Sequence, residues 1–344
     1  MVVNVVVYGF KNINSPRFWE VVLISLSTPA IFLPLPAKSR TMSLLSVGTV
    51  AFDTIETPSG KADMVVGGSG TYSALAASYR KIPINLVSII GDDFPEDELS
   101  LMNSRGIDTT GIKVVEGGKS FYWSGRYHDN MISRDTLVTD LNVLADFDPN
   151  LSEAYSQSDY LFLGNLTPDI QRSVIEQMTT KPKVVALDTM NFWMDIAMDS
   201  LLETIKLVDI LIINDEEARQ LSGIHSLVKA AAHILTLGPR YLVIKKGEHG
   251  ALLFGDNQMF YAPGLPLEEV VDPTGAGDTF AGGFMGHIAS TGDLSFANMR
   301  RAIIYGSVMA SFCVGAFGVE GIKNLREEDI VGRYGEFREL VRFD

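Results

Sequence analysis

Val271-Asp272-Pro273-Thr274-Gly275-Ala276-Gly277-Asp278-Thr279-Phe280-Ala281-Gly282-Gly283-Phe284 is the stretch on which the reading of this chain turns. Two glycines around an alanine make a tight loop whose backbone N–H groups converge on one space. The amphipathic run that follows makes the loop the start of a helix. Unpaired N–H groups at a helix start, together with the helix dipole, form a site for an anion. A carboxylate beside such a site, here Asp278, does not serve as an anion ligand. It reads as a general base for a hydroxyl that attacks phosphorus. The plainer alternative is a glycine-rich turn in which Asp278 only caps the helix.

Outward from this stretch, short apolar runs alternate with longer amphipathic ones. Runs at 44–50, 84–90, 160–163, 184–187, 210–213 and 241–244 have the length of buried strands. Helical patterns cover 70–80, 95–105, 168–178, 215–222, 226–237, 276–290 and 295–313, with Gly238-Pro239 closing the fifth. This alternation predicts an α/β fold: a mostly parallel sheet between two helical layers, with ligands beyond the carboxyl ends of the strands. Residues 54–66 and about 111–138 break the pattern. They are rich in β-formers and read as antiparallel strands of a small lid. In 121–128, strand alternation puts Phe121, Trp123 and Tyr127 on one face and Tyr122, Arg126 and His128 on the other. One aromatic face can cover a substrate or simply pack within the lid.

Composition narrows the function classes. The 344 residues carry a net charge of −14, which argues against nucleic acid and anionic membranes as partners. A single cysteine excludes a disulfide framework and a cysteine zinc site, and points to a reducing, cytoplasmic setting. Residues 1–41 differ from the rest: Lys11, Arg17, Lys38 and Arg40 against Glu20 give +3, and the segment contains an apolar run from Phe18 to Pro36 broken by prolines. That segment reads as an extension or as sequence upstream of a start at Met42, with residues 42–344 forming the functional domain. Gly118-Lys119-Ser120 lacks the leading glycine and the strand–loop–helix context of a phosphate-binding P-loop. No G-x-G-x-x-G fingerprint occurs, and the five histidines show no metal-ligand spacing.

The segment 271–284 resembles the second signature of the ribokinase-like, or PfkB, family of carbohydrate and nucleoside kinases, and the resemblance runs from about Leu44 to Gly321. It implies a three-layer α/β/α sandwich with a small antiparallel β lid. It also implies an ATP-dependent phosphotransferase acting on an alcohol group of a sugar or nucleoside. By resemblance, Gly275, Ala276 and Gly277 form the anion hole for the transferring phosphoryl and Asp278 is the base. Such chemistry rests mainly on positioning and charge stabilisation. The rival class is a non-catalytic sensor of nucleotides or sugars that keeps the same fold.

Other positions match the family one at a time. Asp53 stands where relatives end the first strand with a carboxylate that accepts hydrogen bonds from substrate hydroxyls. Gly67 and Gly68 match the paired-glycine substrate loop. Tyr72 departs from the pattern, replacing the asparagine that contacts sugar in ribokinase-type members. Asn165 and Asn191 follow strands and border the same cleft, so both are candidates for substrate contact. Asn214 and Glu217 match the Asn-x-x-Glu motif that arranges Mg²⁺ through its waters, although an acidic first turn also favours a helix by itself. Gly247 and Gly250 match the nucleotide turn. Lys245 and Lys246 precede that turn and either hold ATP phosphates or face solvent. Thr274 is a further candidate at ATP, and Asp272 at a monovalent cation such as K⁺. The lid strands, with unsatisfied edges, suggest a homodimer.

Overall fold

The computed structural model describes residues 42–342; the expected extension at 1–41 lies outside the described residues. The first third of the described chain runs β1 (Leu44–Val47), β2 (Ala51–Thr57), β3 (Gly60–Gly67), α1 (Ser69–Ser78), β4 (Ile84–Gly91), α2 (Glu96–Ser104), β5 (Ile107–Val115), β6 (Phe121–Tyr127) and β7 (Arg134–Asp140). Strands β8 (Tyr160–Leu163), β9 (Val184–Asp188), β10 (Ile210–Asn214) and β11 (Tyr241–Lys245) then alternate with α3 (Pro168–Glu176), α4 (Asn191–Ile196), α5 (Met198–Ile205), α6 (Asp215–Ser222) and α7 (Leu227–Ile234). The hairpin of β12 (Ala251–Gly255) and β13 (Gln258–Ala262) precedes α8 (Ala276–Thr291), α9 (Phe296–Cys313), α10 (Glu320–Lys323) and α11 (Glu327–Leu340).

Nine strands form one sheet in the order β13-β12-β11-β10-β9-β8-β1-β4-β5, all parallel from β11 to β5, with the β12–β13 hairpin antiparallel at one edge. The chain goes from β1 to β4 on one side and later returns to β8 on the other. The carboxyl end of β1 is therefore a topological switch point, where such sheets hold their ligands.

Alternation along each strand decides what meets which helical layer. Leu44, Val184, Ala186, Ile210, Ile212, Tyr241 and Val243 pack into the apolar layer that includes α1, α8 and α9. Leu45, Val185, Leu187, Leu211, Ile213, Leu242 and Ile244 pack into the opposite layer with α5, α6 and α7. Strands buried on both faces need unbroken apolar runs, as the sequence pattern shows.

The chain leaves the sheet at Val47 and enters a second, four-stranded sheet, β3-β2-β6-β7, which rises from the carboxyl edge. Three details differ from the sequence reading. The run expected as lid from 111 splits, because β5 pairs parallel with β4 in the main sheet and only β6 and β7 belong to the lid. The lid is also not wholly antiparallel: β2 pairs parallel with β6, while β2–β3 and β6–β7 are antiparallel. The first strand stops at Val47, so Asp53 sits inside lid strand β2 and not at the end of β1.

Candidate active site

The last residues of β9, β10 and β11 are Asp188, Asn214 and Lys245. Asp188 pairs in register with Ile212, and Asn214 with Lys245, so all three end at one edge of the sheet. Each continues the parity of the residues that face α8, and the alternation sends their side chains toward that helix's N-terminus. Lys246, one residue further, leaves the cluster: its ammonium lies 5.7 Å from the centre of the Tyr261 ring.

Helix α8 starts at Gly275, which adopts φ 73° and offers no capping side chain to the first turn. The left-handed conformation suits glycine, and a Cβ here would overlap the Tyr72 ring. Tyr72 is 1% exposed and its hydroxyl has no hydrogen-bond partner. Tyr72, at the position the resemblance gives to a sugar-contacting asparagine and so a candidate at substrate, packs its ring against Gly275. The Ala276 N–H donates to the Pro273 carbonyl at 3.3 Å, the long end of the hydrogen-bond range. The Gly277 Cα faces Lys245: its Cβ position lies 3.1 Å from the Lys245 Nζ. The ammonium therefore stands beside the helix start where an anion would sit.

Around this lysine gather three carboxylates. Lys245 Nζ donates to Asp188 Oδ2 at 3.1 Å; the Asp188 side chain is buried and that of Lys245 is 18% exposed. Burial works against the lysine's charge, but Asp188, Glu217 and Asp278 outweigh it and hold its pKa above the ordinary value. Burial pushes Asp278 up to about 7, with the Asp188 charge adding and Lys245 opposing. Glu217 is likewise raised to about 7, by burial first. Its carboxylate accepts from the Asn214 N–H at 2.7 Å while Asn214 Oδ1 accepts from the Glu217 N–H at 2.8 Å, a reciprocal cap on α6. Both matched residues are thus held rigidly at the strand end.

Of the positions expected to meet substrate, Asp53 and Gly67 lie in lid strands β2 and β3. Asp53 is 5% exposed, and burial, reinforced by Asp272 and Asp278, raises it to about 8. A Cβ on Gly67 would overlap the Asp53 carboxylate, which explains a glycine at that end of β3. Gly68, at φ 95°, leads directly into α1. Asn165 and Asn191 are already engaged. Asn165 Oδ1 accepts from Trp193 Nε1 at 2.8 Å, and Asn191 Nδ2 donates to Gln220 Oε1 at 2.6 Å.

Asp272 is fully buried and braces two loops, accepting from the Thr274 N–H at 2.8 Å and the Gly318 N–H at 3.0 Å. Thr274 Oγ1 donates to the Tyr127 hydroxyl at 3.2 Å, joining the anion loop to lid strand β6. Sequence reasoning missed that link, as it missed Asp188 as the partner of Lys245. The parity of β9 and β11 was the available signal for the second. Gly247 and Gly250, at φ 55° and 86°, form the turn between β11 and β12. Among the described residues no cluster of three or more His, Cys, Asp or Glu side chains is arranged to hold a metal by itself.

The model of the pfkB family of carbohydrate kinases matches residues 43–324. Cytidine kinase of Thermococcus kodakarensis is 28% identical over 250 residues, spanning 71% of this chain and 87% of that protein. Ribokinase of Haemophilus influenzae is 29% identical over 276 residues, spanning 77% and 86%. The crystal structure of the Methanocaldococcus jannaschii nucleoside kinase, 18% identical, superposes with a TM-score of 0.69 over 86% of this chain and 99% of its own. The start of α8 with Asp278, and Asp53 in the lid, thus sit in a ribokinase-like fold, and this chain belongs to the pfkB carbohydrate kinase family.

Proposed function

We propose that this chain transfers the γ-phosphoryl group of ATP to a hydroxyl of a nucleoside, with free sugars as the second substrate class. The observation that carries the mechanism is Asp278, partly buried in the first turn of an uncapped helix, its carboxyl raised to about 7 with the Lys245 charge acting against the rise. A base with that pKa takes a proton efficiently near neutral pH. The acceptor oxygen forms a bond to the γ-phosphorus, its proton moves to an Asp278 carboxylate oxygen, and the bond to the bridging oxygen of ADP breaks. The N–H groups at Gly275, Ala276 and Gly277, with the Lys245 ammonium, stabilise charge on the transferring group.

Asp188, Glu217 and Asp278 face Lys245, and this surplus of carboxylates suits a divalent cation that arrives with the nucleotide. Glu217 would hold it through water, and Mg²⁺ supplies charge neutralisation on the phosphates. Asp53 orients the acceptor hydroxyl. The Tyr127–Thr274 contact closes the lid on the loop and excludes water. Asp272 has both oxygens committed to backbone N–H groups, so its contribution is to hold the loop; a K⁺ ion near it is not needed by this account.

Two observations support a nucleoside as acceptor. Trp123 is only partly covered on the lid, and Arg134 lies 5.9 Å from its ring centre, an arrangement suited to stacking a base. A cytidine kinase also stands among the relatives. Arg126 is committed to Glu56 at 3.0 Å, which weakens a sugar-acid reading. A non-catalytic sensor is not favoured, because base, helix start and lysine are all in place. The test is ADP release with Mg²⁺ and ATP over separate panels of nucleosides and free sugars, with products identified by mass spectrometry. Turnover on nucleosides supports the proposal; ATP left intact with every acceptor refutes it.

A further inference from the structure

At the end of α1 and α8 remote from the anion loop, a cavity of about 520 Å³ opens between α1, α2, α8, α9 and α11. We propose that it is a second ligand site, built for a small aromatic molecule carrying a phosphate or carboxylate. Its volume falls in the range of small-molecule pockets.

The charge of the cavity runs against that of the whole chain. Arg80, Lys81 and Arg105 line it against the single carboxylate of Glu327, in a protein of net charge −14. Arg80 donates through Nε to Ser290 Oγ at 3.0 Å and lies 4.9 Å from the Tyr305 ring centre. Arg105 lies 4.8 Å from the Tyr79 ring centre and donates to the Lys323 carbonyl. Neither guanidinium pairs with a carboxylate among the described residues. Each carries five N–H donors in a planar fork, so both retain capacity for an oxyanion. Lys81 does hold Glu327, at 2.6 Å, but both side chains are exposed. Such a pair contributes little and can exchange for a ligand.

The remaining wall is apolar. Leu325, Ile330, Val331 and Tyr334 offer a surface for a ring. His287 adds an unmatched polar atom. Asn298 Nδ2 donates to Thr291 and to the Asp293 carbonyl, which fixes Asn298 Oδ1 as the acceptor from His287 Nε2 at 3.1 Å. Nε2 therefore donates, and burial holds the imidazole below its ordinary pKa, which leaves Nδ1 a buried acceptor without a partner that takes no part in holding an oxyanion. Arg80 and Lys81 follow the end of α1, where cations offset the helix dipole. Arg105 likewise ends α2; what the dipoles do not account for is that all three cations line one cavity beside an apolar wall.

The location gives the site a route to the cleft. His287 lies on α8 about 18 Å along the axis from Gly275, and the start of α1 follows the Gly67-Gly68 loop directly. The two helices touch closely: a Cβ on Gly282 would overlap Ser73, and one on Gly286 would press on Ala77.

The test uses the full chain with Mg²⁺ and saturating ADP, so that the catalytic cleft is filled. Calorimetric titration compares 1-naphthyl phosphate, 1-naphthoate and neutral 1-naphthol. The proposal expects one site per chain, with at least one anion bound about fivefold or more tighter than naphthol, and the preferred anion reports phosphate or carboxylate. Val331 is 64% exposed at the cavity rim, so Val331→Glu adds a repelling charge without removing a buried contact. It should weaken anion binding about fivefold or more, while Asp278→Asn leaves it unchanged. Equal thermal stability of Val331→Glu and the parent excludes misfolding. Absence of saturable anion binding, equal binding of naphthol, or a smaller effect of Val331→Glu overturns the proposal, and none of these outcomes touches the catalytic reading.

Discussion

Replacing Lys245 by methionine keeps the length of the side chain and removes a cation from among Asp188, Glu217 and Asp278. Unit charges 4 Å apart interact by about 4 kcal/mol at the effective dielectric of a protein site, and by about half that at twice the distance. The lysine holds Asp188 directly at 3.1 Å and reaches Asp278 less closely. A net change of roughly 1–2 kcal/mol at Asp278 is about one pKa unit. The sign is fixed: Lys245 lowers the Asp278 pKa, so its removal raises that pKa from about 7 to about 8. A base must be unprotonated to act, so the acid limb of kcat/KM moves up by about one pH unit. At pH 7 the competent fraction falls from about half to about a tenth. The assay is coupled ADP release from pH 5.5 to 9, with Lys245→Arg as the charge-keeping control. An acid limb in Lys245→Met within about 0.3 unit of the parent's refutes the coupling. The same variant leaves Asp188 buried and unpaired, a loss of about 3–5 kcal/mol in urea unfolding that Asp188→Asn should largely relieve.

Gly275→Ala meets both a positive φ and the Tyr72 ring. A combined cost of about 2–4 kcal/mol is expected, and adding Tyr72→Ala should recover part of it, read as coupling in a double-mutant cycle. Simple additivity would contradict the contact. The raised carboxylates also set the pH dependence of stability. Asp53 at about 8 and Glu217 and Asp278 at about 7 bind more protons folded than unfolded. Stability without ligands should therefore decline as pH rises from about 4 toward 8, and Asp53→Asn should flatten the slope; a rise over that window contradicts the burial of these groups. On the lid, β7 carries exposed Leu137 and Val138 on an edge strand. The parent should sediment as a dimer and Leu137→Asp/Val138→Asp as a monomer; a monomeric parent excludes lid pairing.

Much of this arrangement is written locally. The GAGD stretch announces a helix start because glycine spacing and the following apolar period are adjacent in the chain. The strand ends at Asp188, Asn214 and Lys245 follow from apolar runs of four or five residues, and their shared face follows from parity. What the sequence does not show is which of two neighbouring lysines turns inward, because that depends on where the strand stops. The lid was harder for a related reason. Residues 107–115 have the same β-forming character in either sheet, and only pairing with β4 assigns them to the main one. Long-range contacts such as Tyr127 to Thr274, and the buried Tyr72 beneath Gly275, have no local pattern at all.

Asp278→Asn tests the central claim most directly, because it changes one atom in the first turn of α8 and leaves the loop intact. Calorimetry with Mg²⁺–ADP and with the accepted nucleoside should show affinities within about threefold of the parent. Turnover measured in the same preparation should fall by roughly three orders of magnitude or more, the loss expected when a base and its charge are both removed. Turnover within about tenfold of the parent, with binding preserved, would show that another group takes the proton and would contradict the account.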